Sequence, residues 1–98
     1  MLTRYECNQL ITQIMQGSDA ERQNALERIF EADEAAITPL IDHFYAGVNE
    51  STGLVIIALL NYIGGYEAQQ LFHDLLDFPQ PHNSWEWAAE AALQANSP

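Results

Sequence analysis

The stretch Leu10-Ile11-Thr12-Gln13-Ile14-Met15-Gln16-Gly17 returns thirty residues later as Leu40-Ile41-Asp42-His43-Phe44-Tyr45-Ala46-Gly47. Both place apolar pairs one helical turn apart and stop at a glycine, as an amphipathic helix with one buried stripe does. The pattern comes back at Leu71-Phe72-His73-Asp74-Leu75-Leu76, thirty-one residues further on. Between these segments runs a second series, Ala25-Leu26…Ile29, Leu59-Leu60…Ile63 and Ala92-Leu93, at spacings of 34 and 33. Two helix types alternating with a period of 30 to 34 residues mark helical hairpins stacked as an α-solenoid. One hairpin cannot bury its apolar stripe alone, and about three are needed for a stable stack. The expected fold is therefore all-α: a right-handed α-α superhelix of three hairpins and six helices, in one domain over 1–98, with repeats at about 3–32, 33–65 and 66–96.

Helix punctuation agrees with that division. Thr3…Glu6 and Ser18…Glu21 have the spacing of capping boxes. The first predicts a helix ending at Gly17, closed by a glycine in the left-handed conformation. The second opens a helix that carries Ala25, Leu26, Ile29 and Phe30. Asp33 is expected to cap a third helix, with Pro39 near its start and Gly47 at its end. A fourth is predicted from Ser51 or Thr52 to Gly64-Gly65, and a fifth over about Glu67 to Asp77. Phe78-Pro79-Gln80-Pro81-His82-Asn83 reads as a rigid loop, and Ser84 as the cap of a last helix from Trp85 to about Ala95. No stretch alternates with a period of two for long enough to read as a strand.

Ala36-Ile37-Thr38-Pro39-Leu40-Ile41, Ala58-Leu59-Leu60-Asn61-Tyr62-Ile63-Gly64 and Ala88-Ala89-Glu90-Ala91-Ala92-Leu93 together resemble short HEAT-like repeats. The subtype they look most like is the phycobilisome lyase type, in which an "AIPxLI" helix precedes an "AxxALGxIG" helix. The resemblance covers most of the chain and is best from Asp33 onward. It departs from the family where Gly53-Leu54 and Glu86-Trp87 replace the usual arginine pair early in the second helix. It implies a stack whose second helices line a concave, ligand-facing side. It also implies a secondary reading, an accessory or pigment-binding relative of phycobilin lyase-like HEAT proteins, much shorter than the lyase subunits.

Register then assigns faces. The fourth helix sets Ile56, Ile57, Leu60 and Ile63 toward its hairpin partner, and Leu54, Val55, Ala58 and Tyr62 on the opposite face. The last helix turns Trp87 and Ala91 outward beside Glu86 and Glu90, while Trp85 points to the core. The second helix offers Ala20, Gln23, Asn24, Glu27 and Arg28. The candidate partner-binding set is Leu54, Val55, Ala58, Tyr62, Trp87, Glu86 and Glu90, an apolar and aromatic centre rimmed by carboxylates. Leu54 and Val55 equally fit a core position, because the middle second helix is flanked on both sides. Tyr62 and Trp87 each carry a polar tip that tolerates a wet site.

Charge narrows the partner. The 98 residues hold 3 Lys+Arg against 14 Asp+Glu, a formal net charge of −11. All three cations are arginines within residues 1–28, and residues 29–98 hold ten acids and no cation. This argues against nucleic acid or anionic lipid held by a basic patch. Without lysine, Schiff-base and P-loop chemistry are excluded. The surplus carboxylates fit solubility, steering of a basic protein partner, or a decoy that imitates a nucleic-acid backbone against a basic DNA-binding protein.

Little else carries chemistry. His73, Asp74 and Asp77 share a face, and Asp42-His43 holds the equivalent place one repeat earlier, but neither supplies the four ligands of a structural metal site. Gly64-Gly65 reads as a helix stop, and no Ser-His-Asp order is present. Cys7 is a lone cysteine with no base arranged beside it, expected as a small buried hydrophobe. The longest apolar run, Leu54 to Leu60, is seven residues against the ~20 that cross a bilayer. The first residues lack the pattern of a signal peptide, so a cytoplasmic setting is expected. The function expected is a non-catalytic protein–protein interaction module that binds a protein partner, a basic one being an option, through the concave face. No cofactor, catalytic residue or metal ligand is assigned, and self-association into a homodimer through the ends of the stack is an alternative.

Overall fold

The Thr3 hydroxyl accepts the backbone N–H of Glu6 at 3.1 Å and opens α1, Arg4–Gln16. Its own proton goes to the Glu6 carboxylate at 3.2 Å, so this cap lacks the reciprocal bond of a full capping box. Ser18 and Glu21 make both bonds of the box, each at 3.2 Å, at the start of α2, Asp19–Ala32. The computed structural model describes residues 2–95, and every regular element in them is helical. The others are a 3-10 turn over Asp33–Ala36, α3 (Ile37–Tyr45), α4 (Glu50–Ile63), α5 (Tyr66–Asp77) and α6 (Asn83–Ala95).

Several ends differ from the sequence expectation. Gly17 is extended, with φ −78° and ψ 171°, not left-handed. Its glycine answers crowding instead: a Cβ there would lie 2.5 Å from the Gln13 carbonyl oxygen and 2.9 Å from the Glu21 Cβ. Asp33 does not cap α3. It ends α2 with φ at +50°, its N–H returning to the Ile29 carbonyl, and Ala36 precedes α3 with no side-chain cap. The cap of α4 is Asn49, whose Oδ1 accepts the Thr52 N–H at 2.8 Å, so the helix starts before Ser51. α5 begins at Tyr66, one residue before the predicted start. α6 begins at Asn83, with Ser84 inside its first turn.

A single apolar cluster joins all the helices. Cys7 and Ile11 of α1, Ile29 of α2, Leu40 and Phe44 of α3, Ile56 and Leu60 of α4, Phe72 and Leu75 of α5, and Trp85 of α6 all lie in it. Among the described residues no polar or charged side chain is buried, so the core carries no desolvated charge. α1 packs on α2, α3 on α4 and α5 on α6, and α4 also lies along α6. α3 and α5 run in the same direction, since the Thr38 hydroxyl donates to Glu67 at 3.3 Å and the Tyr45 hydroxyl to Asp74 at 3.4 Å, each pair 29 residues apart.

α4 and α6 approach closely at their first turns. Gly53 has no side chain there, and a Cβ would fall inside the indole of Trp85. The indole Nε1–H donates to the Glu50 carbonyl at 3.0 Å, and its ring meets those of Phe44 and His82, both at 4.8 Å. The Ser84 hydroxyl donates to the Glu50 carboxylate at 2.6 Å. Trp85 is thereby core, and it aligns the first turns of α4 and α6.

Candidate partner-binding surface

On α4, Leu54, Ala58 and Tyr62 follow one another a helical turn apart, with Val55 beside them. Leu54 and Val55 are half-buried against the core cluster, while Ala58 is exposed. Tyr62 is 73% exposed and Trp87 of α6 is 68% exposed. Glu86 is half-buried and Glu90 exposed on the same helix as Trp87. The two aromatic rings thus stand in water on helices that pack together.

The residue the sequence reading missed is Phe30. Its ring lies 4.4 Å from that of Tyr62, tilted by 33°, so the α2 and α4 faces meet through an aromatic pair. Phe30 follows Ile29 directly and carries the same apolar signal, and only the packing separates its half-buried ring from the core one. Tyr62 is therefore braced on one side and open on the other. A braced ring loses little side-chain freedom when a partner covers it, which favours its use as an anchor. Tyr5, Tyr45, Tyr66 and Phe78 are likewise exposed, outside this surface.

Electrostatics divide the molecule unevenly. Arg28 pairs with Glu6 and Arg22 with Asp19, each at 3.6 Å, both within α1 and α2. Arg22 also donates to the Ile14 carbonyl at 3.2 Å, placing a cation near the C-terminal end of α1. Beyond residue 28, carboxylates are met by neutral donors: Glu50 by Ser84, Glu67 by Thr38, Asp74 by Tyr45 and Gln70, Glu90 by Gln94. Their charge is left uncancelled at the surface.

Burial pushes the Cys7 thiol up to about 11, the behaviour of an inert core thiol. Partial burial, and then the nearby Arg4, lower the His43 pKa. Among the described residues no three His, Cys, Asp or Glu side chains converge as a metal site would need, and His73 and Asp77 are both exposed. No helix among them is long and apolar enough to cross a membrane. Comparison with protein-family models, with curated proteins and with solved structures finds no match.

Proposed function

We propose that this protein is a non-catalytic interaction module of three HEAT-like hairpins, which binds a protein partner on the surface formed by α2, α4 and α6. The observation that carries the reading is the exposure of Tyr62 and Trp87, 73% and 68%, on two helices packed together from their first turns. The parallel course of α3 and α5, with its constant offset of 29 residues, supports a repeated hairpin stack. Leu54, Val55 and Ala58 supply apolar surface between the aromatic anchors, and Glu86 and Glu90 orient a partner at the rim. Trp and Tyr head the residue types that dominate interface energetics, so two of them with few mobile torsions make an economical anchor.

The uncancelled carboxylates beyond residue 28 favour a second reading, in which a basic protein is drawn in by charge and the module acts as a decoy. The two readings separate on one pair of substitutions. Changing Tyr62 and Trp87 together to Ala leaves the helical circular-dichroism spectrum in place, because both side chains are exposed. The interaction reading expects each to contribute about 1–3 kcal/mol to binding, so a partner captured by the native protein from its own lysate is lost from the double variant. Undiminished capture by the folded double variant contradicts the anchor assignment and leaves the charge reading standing.

A further inference from the structure

The groove between α3 and α5 is a small open cavity of about 220 Å³ that neither Tyr62 nor Trp87 lines. Ile41 and Leu71 line it with apolar surface, Tyr66 and Glu67 stand at the end where α5 begins, and Tyr45 and Asp74 stand toward the end where α3 finishes. Both tyrosines are mostly in solvent, 59% and 82% exposed. Asp74 is held in place by two neutral donors, the Tyr45 hydroxyl at 3.4 Å and the Gln70 amide at 3.3 Å. Each carboxylate oxygen has two lone pairs, so both oxygens of Asp74 keep acceptor capacity. No cation lines the cavity, and residues 29–98 supply none.

An apolar lining, a tyrosine at each end and unneutralised carboxylates match one kind of side chain. A guanidinium is flat and weakly hydrated, stacks on tyrosine faces, and offers a fork of donors to a carboxylate. Its aliphatic stem lies against apolar surface while the charged head stays at the rim. A carboxylate-bearing guest meets repulsion from Glu67 and Asp74, and a purely aliphatic one leaves both acids unpaired. Burial, and then Asp74, raise the Tyr45 pKa, so the phenol remains a donor to Asp74 through neutral pH. We propose that the groove between α3 and α5 is a receptor for an arginine side chain of a partner peptide, its stem lying along Ile41 and Leu71 from the Tyr66 end and its guanidinium paired with Asp74 beside Tyr45. The site shares no residue with the surface of α4 and α6 and stands whether or not that surface binds a partner.

The test is an amide NMR titration of the full chain with three blocked tripeptides, Gly-Arg-Gly, its citrulline counterpart and its lysine counterpart. Citrulline keeps the shape of arginine and removes the charge. The arginine peptide is expected to move the resonances of Tyr45, Tyr66, Gln70, Leu71 and Asp74, the citrulline peptide to leave them in place, and the lysine peptide to bind more weakly. Asp74→Asn and, separately, Tyr66→Ala, both checked for unchanged helical content, are expected to weaken the arginine peptide about two- to fivefold. Four results overturn the assignment: equal shifts with citrulline, equal binding of lysine, shifts as large around Glu86 and Glu90 as in the groove, or no shift at millimolar peptide.

Discussion

Gly53 is the residue at which two ordinary rules conflict. In an exposed helix interior, replacing glycine with alanine gains about 1 kcal/mol through helix propensity. Here the added methyl would occupy the Trp85 ring, and the backbone of α4 or α6 must give way. Overpacking of this kind costs typically 1–3 kcal/mol. Gly53→Ala is therefore expected to destabilise by up to about 2 kcal/mol net in denaturant unfolding, and a stabilised variant would show that the α4–α6 contact is looser than described. Cys7 gives a second residue-scale prediction. Its folded pKa is raised from 9.0 to about 11, so the unfolded chain ionises first as pH rises. Stability from this group is whole below pH 9 and is lost as pH climbs through 11, by roughly 2–3 kcal/mol at 1.36 kcal/mol per unit. Cys7→Ala is expected to flatten that alkaline slope, measured as unfolding free energy between these limits. An unchanged slope would place the titration elsewhere.

At the scale of the element, the helix ends divide according to how local their chemistry is. Ser18 and Glu21 can be paired by eye because both bonds of the box lie within four residues of sequence. The start of α4 was misplaced because Asn49, Ser51 and Thr52 are all competent caps, and only the preceding backbone decides among them. Asn49→Ala is expected to cost about 1 kcal/mol, whereas Ser51→Ala stays within about 0.5 kcal/mol, both read from chemical unfolding. Equal costs would return the cap to the serine. Asp33 has the side chain of a cap and serves instead as the end of α2, at φ +50° and ψ −120°, a backbone conformation that favours glycine. Ser84 illustrates the same limit: its hydroxyl serves Glu50 on another helix, 34 residues away, a contact no local pattern announces.

For the whole molecule, the helical class was legible because periodicity accumulates over the chain, while any one boundary rests on a few atoms. The outward register of Tyr62 and Trp87 was legible for the same reason. The Phe30–Tyr62 pair and the groove between α3 and α5 were not, since each depends on how two helices approach one another. The Cα radius of gyration, 12.8 Å, is close to the roughly 12–13 Å of a globule of this length. The described helices thus form a rounded body, with principal extents of 35 × 27 × 22 Å. Its net charge of −11 acts against compactness. Raising NaCl from about 0.01 M to about 0.5 M shortens the Debye length from ~30 Å to a few Å and is expected to raise the melting temperature by roughly 4 °C or more. A flat or falling melting temperature would mean that ten acids without a cation repel one another less than their number suggests.

The most direct measurement is capture of a partner by the native protein, washed in parallel at about 0.05 M and about 1 M NaCl, where electrostatic attraction between exposed charges is largely screened. Binding through Tyr62, Trp87 and the apolar surface between them predicts a partner that survives the high-salt wash. A partner released in proportion to salt would contradict that claim and assign the interaction to the carboxylates.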